Sequence, residues 1–250
     1  MDPKEGTSLF TTNAKVQGHN NKAMETLWKD GEQIFRFDAK NSSTQAMNCK
    51  DQDKVRKLDN YSYFAIGAKV VLTCNLSQNS QLVNGSCGTI VGFDMREPPP
   101  KVPQAVIVHF PDYKGKAFFV EHPTWVPIEQ YTATFRIGSS NRDETRTQIP
   151  LKLSYAWTIH KGQGQTFPGY LFVDLGETDK HHKSAGLNYV ALSRSKDAAF
   201  FAMVGVSRDF LTKPAHTDEV KDRILEEERL RKLAEGTAKF VHDGKLNYAE

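Results

Sequence analysis

The chain has 250 residues, 38% of them hydrophobic and 25% charged, which is enough for one large domain or two small ones. No apolar run approaches the ~18–20 residues of a membrane helix, and residues 1–10 lack the basic and apolar regions of a secretory signal, so neither a membrane nor a secreted protein is expected. Asp2 and Glu5 argue against a mitochondrial leader, and the net charge of +3 permits nucleic-acid binding without arguing for it.

Cys49, Cys74 and Cys87 form no CxxC pair and stand with no histidine at zinc-finger spacing, so reduced thiols in a nuclear or cytoplasmic protein are expected. His181 and His182 are adjacent in a polar stretch, where solvated side chains are expected and a metal site is not.

In chain order, residues 8–12 form a short β-like run, and Asn13 is the expected N-cap of a helix with Val16, Asn20, Met24, Leu27 and Trp28 at helical spacing. Residues 34–39 alternate like a strand. Residues 40–60 are polar and aperiodic, a loop or a short helix. Strands are then expected at 69–73, 87–93, 105–110, 118–120, 125–128 and 132–137, with a turn at 82–85 and a proline breaker at 98–100. Short strands so spaced predict a small β-barrel or sandwich.

Beyond residue 150 the pattern returns to α/β. Residues 156–165 read as a helix opening, 170–175 as a buried parallel strand, 184–196 as a helix and 198–206 as another buried strand. That alternation predicts a parallel sheet covered by helices. Residues 218–238 predict a charged helix with Glu227–Arg231 and Glu228–Lys232 pairs and a partial stripe of Ile224, Leu225, Leu230 and Leu233. Such a helix is either solvated or partner-binding.

The segment Thr158-Ile159-His160-Lys161-Gly162-Gln163-Gly164-Gln165-Thr166-Phe167 concentrates chemistry. Its glycines let a backbone approach phosphate or ribose, Thr158 and His160 are short donors for a phosphate, and Lys161 adds charge. A turn that merely needs glycine would look the same. Arg194, in Ala191-Leu192-Ser193-Arg194, offers a planar fork to a phosphate, or is a surface arginine in an i,i+4 pair. A third segment runs from Gly67 through Asn75-Leu76 and Leu82-Val83-Asn84-Gly85 to Val91.

In order and spacing these segments resemble the C-terminal half of the petite-integration-frequency type of 5′-to-3′ DNA helicases, in the RecD-like group of superfamily 1. Residues 158–167 resemble helicase motif V and 188–196 motif VI. Leu9 to Asn13 with Asn20 resembles the weaker motif IV, and the resemblance covers residues 8–211. It implies an α/β fold: a RecA-like parallel sheet of P-loop NTPase type, the second motor domain, with an inserted small SH3-like β-barrel. The implied division is 1–76 and 150–212 for the RecA-like part, 77–149 for the barrel and 213–250 for a charged helical tail.

The resemblance also implies roles. Arg194 would be the catalytic arginine finger on the γ-phosphate, and Gly164, Gln165 and Arg194 would meet the nucleotide. Thr158, His160, Lys161, Asn75 and Asn84 would meet DNA. Lys114, Lys116, Arg136, Arg142 and Arg146 are candidates for a basic rim on the barrel, and Phe118, Phe119 and Trp125 for base-stacking platforms; core aromatics and solvated lysines are the alternative. Gly162 stands where the family has Ser, and Ser195 follows Arg194; the glycine is expected to loosen the turn.

The chain contains no GxxxxGK[ST] loop. Residues 171–175 superficially resemble a Walker B strand but come after motif V. ATP and Mg²⁺ are therefore expected only together with a separate N-terminal RecA-like domain, and single-stranded DNA is the expected partner. Two readings follow: the C-terminal motor domain of an ATP-dependent DNA helicase, inactive alone, or a free-standing nucleic-acid-binding or regulatory module without ATPase activity.

Overall fold

The computed structural model describes residues 6–95, 103–138, 142–167, 169–176, 187–205 and 218–242; the 98–100 breaker, residues 184–186 and the His181–His182 pair lie outside them. The described residues form two units, one of residues 6–8 and 12–158, the other of 9–11 and 159 onward.

In the larger unit, β1 (Thr7–Phe10) begins with the Ser8 amide donating to the Tyr155 carbonyl at 2.9 Å. Helix α1 (Asn13–Lys29) follows. Its N-cap is Thr12, one residue before the expected Asn13: the extended Thr12 backbone lets its hydroxyl accept from the Lys15 amide. Gly31, at φ +96°, ends the helix. Asn20 and Met24 face inward. The Asn20 carboxamide accepts from the Ala156 amide at 2.9 Å, tying α1 to the backbone of a distant strand.

The β-rich part begins with β2 (Phe35–Asp38), β3 (Lys40–Asn41) and α2 (Thr44–Asn48). It continues with β4 (Tyr61–Phe64), β5 (Lys69–Leu72), β6 (Cys87–Asp94), β7 (Ala105–His109), β8 (Trp125–Glu129), β9 (Tyr131–Arg136), β10 (Asp143–Gln148), β11 (Leu151–Leu153) and β12 (Ala156–Thr158). A five-stranded antiparallel sheet has the order β11-β5-β6-β7-β8, so strands on either side of residues 77–149 pair into it. Inward residues of alternate positions, including Val70, Leu72, Ile90, Val106, Val108, Val126 and Ile128, join Phe37, Phe64 and Met24 in one core. A bulge between Ile90 and Gly92 shifts the β6–β7 register.

Residues 118–120 form bends and no strand: Phe118 is 59% and Val120 93% exposed, so the apolar run has no core to face. Residues 156–165 are not a helix. They are β12 followed by turns, because Gly162 and Gly164 break helical periodicity.

Sheet β3-β10-β9 has an unusual inner face, made of Glu144, Arg146 and Gln148. Arg146 was a candidate for the basic rim, yet it is 1% exposed. Its guanidinium donates to the carbonyls of Leu58 (2.9 Å) and Ala46 (2.6 Å) and to Asn41 Oδ1 (2.9 Å). The carbonyls at the C-terminal end of α2 supply the negative end that the buried cation needs.

Glu144 accepts from the hydroxyls of Ser42 and Ser43, the latter at 2.7 Å. Those bonds, the Ser42 one first, hold its carboxyl below the ordinary 4.5. A depressed folded value means that the contribution is present at neutral pH, above the unfolded value, and is lost as pH falls through the folded one. The urea midpoint is therefore expected to fall on acidification below pH ~4.5, and Glu144→Gln to flatten that part of the profile. An unchanged slope in Glu144→Gln would refute the contribution.

In the smaller unit, Leu9 and Phe10 are buried and the Phe10 carbonyl accepts from the Ile159 amide at 3.0 Å. β13 (Leu171–Asp174) lies beside β1 and pairs in parallel with β14 (Phe201–Val204), the register joining Leu171 to Phe201 and Asp174 to Val204. The chain is thus α/β with a parallel sheet. Between these strands run α3 (Leu187–Leu192) and a 3-10 turn, Ala198–Phe200, capped by the Asp197 carboxylate. β14 is half-exposed where a buried strand was expected. Helix α4 (Asp218–His242) leaves Ile224, Leu225, Leu230 and Leu233 at least half exposed, and its Glu228–Lys232 pair forms at 3.3 Å.

Candidate functional site

The smaller unit brings Gln165 and Arg194, 29 residues apart in sequence, into direct contact. The turn from Ile159 to Gly164 closes with the Gln163 amide donating to the His160 carbonyl (3.2 Å) and the Gln165 amide to the Gly162 carbonyl (3.1 Å). Gly164 has φ +81°, a conformation that side chains resist, so glycine is required there. Gly162 is buried rather than offered to a ligand. A Cβ there would lie 3.4 Å from both the Ile159 carbonyl and Leu9 Cδ2, which is ordinary contact, so the turn packs against β1. His160 and Lys161 are exposed beside it.

After the turn, the Phe167 amide donates to the Arg194 carbonyl at 3.0 Å, and Phe167 forms a parallel bridge with Ser195. The Arg194 side chain is folded back and half-buried. Its Nε donates to the Val190 carbonyl (3.0 Å), Nη1 to the Gln165 carbonyl (2.9 Å) and Nη2 to Ser193 Oγ (2.8 Å). Three acceptors in different directions fix the plane of the fork. A guanidinium carries five N–H groups, so each Nη keeps a second hydrogen that can reach a phosphate oxygen.

Asp174 Oδ1 accepts from the Gly176 amide at 2.7 Å, closing the end of β13. Among the described residues no group of three or more His, Cys, Asp or Glu side chains could hold a metal ion.

The larger unit holds the other predicted residues. Thr158 ends β12. Asn75 and Asn84 are brought together: Asn75 Oδ1 accepts from the Asn84 amide at 2.7 Å, so Asn75 shapes the turn. Gly85, at φ +98°, completes it. Cys74, just before, is buried, and burial pushes its thiol up to about 11. All three cysteines are free thiols. Trp125 stacks on His122 with ring centroids 3.7 Å apart, which covers one of its faces. Sequence reasoning passed over Ser193, which holds Arg194, and its only signal was adjacency to the arginine.

No protein-family model matches the chain. Among curated proteins it is similar to the ATP-dependent DNA helicase PIF6 of Trypanosoma brucei brucei, 37% identical over 129 residues, covering 52% of this chain and 14% of that protein. It is 29% identical over 164 residues to human ATP-dependent DNA helicase PIF1, covering 65% of this chain and 22% of the helicase. The chain thus spans under a quarter of the length of these two relatives. Among solved structures, the Pif1 helicase of Candida albicans superposes with a TM-score of 0.64 at 21% identity, over 90% of this chain and 50% of that one. The Bacteroides Pif1 helicase in complex with ADP-AlF3 and single-stranded DNA gives 0.61 at 20% identity, over 93% and 46%. Most of the curated relatives are named as ATP-dependent DNA helicases of the PIF type, and the fold of the chain is that of the Pif1 helicase structures.

Proposed function

We propose that this chain is the second motor domain of an ATP-dependent DNA helicase. The observation that carries it is the Arg194–Gln165 contact, which joins the two segments resembling motifs V and VI. In this reading Arg194 reaches the γ-phosphate held by a first RecA-like domain and stabilises charge in the transition state. ATP and Mg²⁺ are bound mainly by that domain. Gly164 and Gln165 line the nucleotide side, while Thr158, His160, Lys161, Asn75 and Asn84 follow single-stranded DNA.

The strands within residues 77–149 act as an SH3-like module inserted between the two RecA-like stretches, 1–76 and 150–212. Lys114, Lys116, Arg142 and the exposed Phe118 are its DNA-facing candidates. Arg136 is tied to Asp143 at 2.7 Å and contributes less.

The test mixes the chain, or fuses it, with a separately made first domain bearing a GxxxxGK[ST] loop. The chain alone is expected to bind single-stranded DNA and to hydrolyse no ATP; the pair is expected to show DNA-stimulated hydrolysis. DNA binding with no hydrolysis by the fusion would favour a free-standing binding module.

A further inference from the structure

The excursion after α2 carries Lys50, Lys54, Arg56 and Lys57 against Asp51 and Asp53. Arg56 and Lys57 have φ of +52° and +60°. Residues with a Cβ rarely adopt this region, and two in succession persist only where the surroundings over-determine the backbone. Here they do. Val55 and Leu58 are buried on either side of the pair, Val55 in a cluster with Ala46 and Phe135. The Lys57 amide donates to the Gln52 carbonyl at 2.6 Å, and the Leu58 carbonyl accepts from buried Arg146.

Asp51 is occupied as a turn cap, its Oδ1 accepting from the Asp53 amide (3.1 Å) and the Lys54 amide (3.2 Å). Lys54 and Arg56 are exposed. Lys152, paired with Val71 of β5, donates to Gln52 Oε1 (3.2 Å) and Asp59 Oδ1 (3.1 Å), which places this turn beside β5, beyond whose end Asn75 begins its own turn with Asn84.

We infer that residues 54–57 form, together with the Asn75–Asn84 turn, a phosphate-binding contact for the backbone of single-stranded nucleic acid; this rests on the reading above that the chain binds a single strand. The complementarity is one of charge. Three cations within four residues sit on a backbone already fixed, so little order remains to be imposed on binding. Arg56 gives a phosphate a forked contact, the lysines give point charges, and the asparagine carboxamides add neutral donors. An apolar protein partner finds little here, since the apolar side chains of the turn, Val55 and Leu58, are buried.

The experiment titrates the full chain into fluorescein-labelled oligo-dT and follows anisotropy across a series of salt concentrations. Arg56→Gly/Lys57→Gly removes two cations and puts glycine where φ is positive, so the fold is retained, which a thermal melt verifies. Affinity at low salt is expected to drop roughly tenfold, and the slope of log K against log salt to shrink by about 1.4, from ~0.7 per single-strand phosphate. Arg223→Ala/Arg231→Ala on α4 removes the same charge and is expected to leave the slope unchanged. An unaltered slope in the turn variant, or an equal loss in the α4 variant, overturns the assignment. Absence of binding by the unmodified chain overturns the single-strand reading itself, and this inference with it.

Discussion

Arg194→Ala is expected to lower DNA-stimulated ATP hydrolysis by roughly 10³-fold or more once a first motor domain is supplied, the range associated with an arginine finger. Affinity for single-stranded DNA should change little, because the arginine side chain donates to Val190, Gln165 and Ser193, all within its own unit. Arg194→Lys separates charge from geometry. Lysine keeps the cation but has one nitrogen, which cannot serve three acceptors and a phosphate together. It is expected to recover little activity. Phosphate release and DNA anisotropy on the same preparations check both claims. Full activity in Arg194→Ala removes the finger; lost DNA binding shows that the side chain serves the fold instead.

The second large effect is on stability. Arg146→Met should destabilise the larger unit by about 3–5 kcal/mol, read from urea midpoints at constant m-value. Arg146 is buried, and among the described residues no carboxylate bonds to it; its counter-groups are the carbonyls of Ala46, Leu58 and, at 3.2 Å, Met47, with Asn41 Oδ1. Methionine fills much of the volume but leaves those oxygens unsatisfied, at about 1–3 kcal/mol for each that water cannot reach. Arg146→Lys should recover part of the loss, since three N–H groups on one nitrogen cannot span the carbonyls of both Ala46 and Leu58 as a planar fork does. Because Leu58 and Ala46 flank the strained basic turn, Arg146→Met should also weaken single-strand binding. A shift below about 1 kcal/mol would show that water satisfies these carbonyls.

The strands β5 to β8 were legible because their inward positions are apolar and alternate, and the connections between them carry glycine or proline. β10 was not legible: its inner face reads Glu144, Arg146, Gln148, a pattern that periodicity assigns to solvent. Each of these polar residues is buried only because residues about 90–110 positions earlier, Phe37, Ser42, Ala46 and Leu58 among them, supply its partner. The opposite error occurred at residues 118–120, where apolar residues imply a strand and no neighbouring strand receives them.

For the site, the residue types were readable and their meeting was not. The composition around Gly162, Gly164 and Arg194 carried the family resemblance and the reaction class it implies. Local chemistry sets that much: glycine for positive φ, arginine for a planar fork, apolar alternation for a strand. The contact of Gln165 with Arg194, the burial of Arg146 and the strain at Arg56 and Lys57 depend on which distant backbone oxygens and side chains arrive beside them. Those are long-range hydrogen bonds and core contacts, which exist only once the chain has closed on itself.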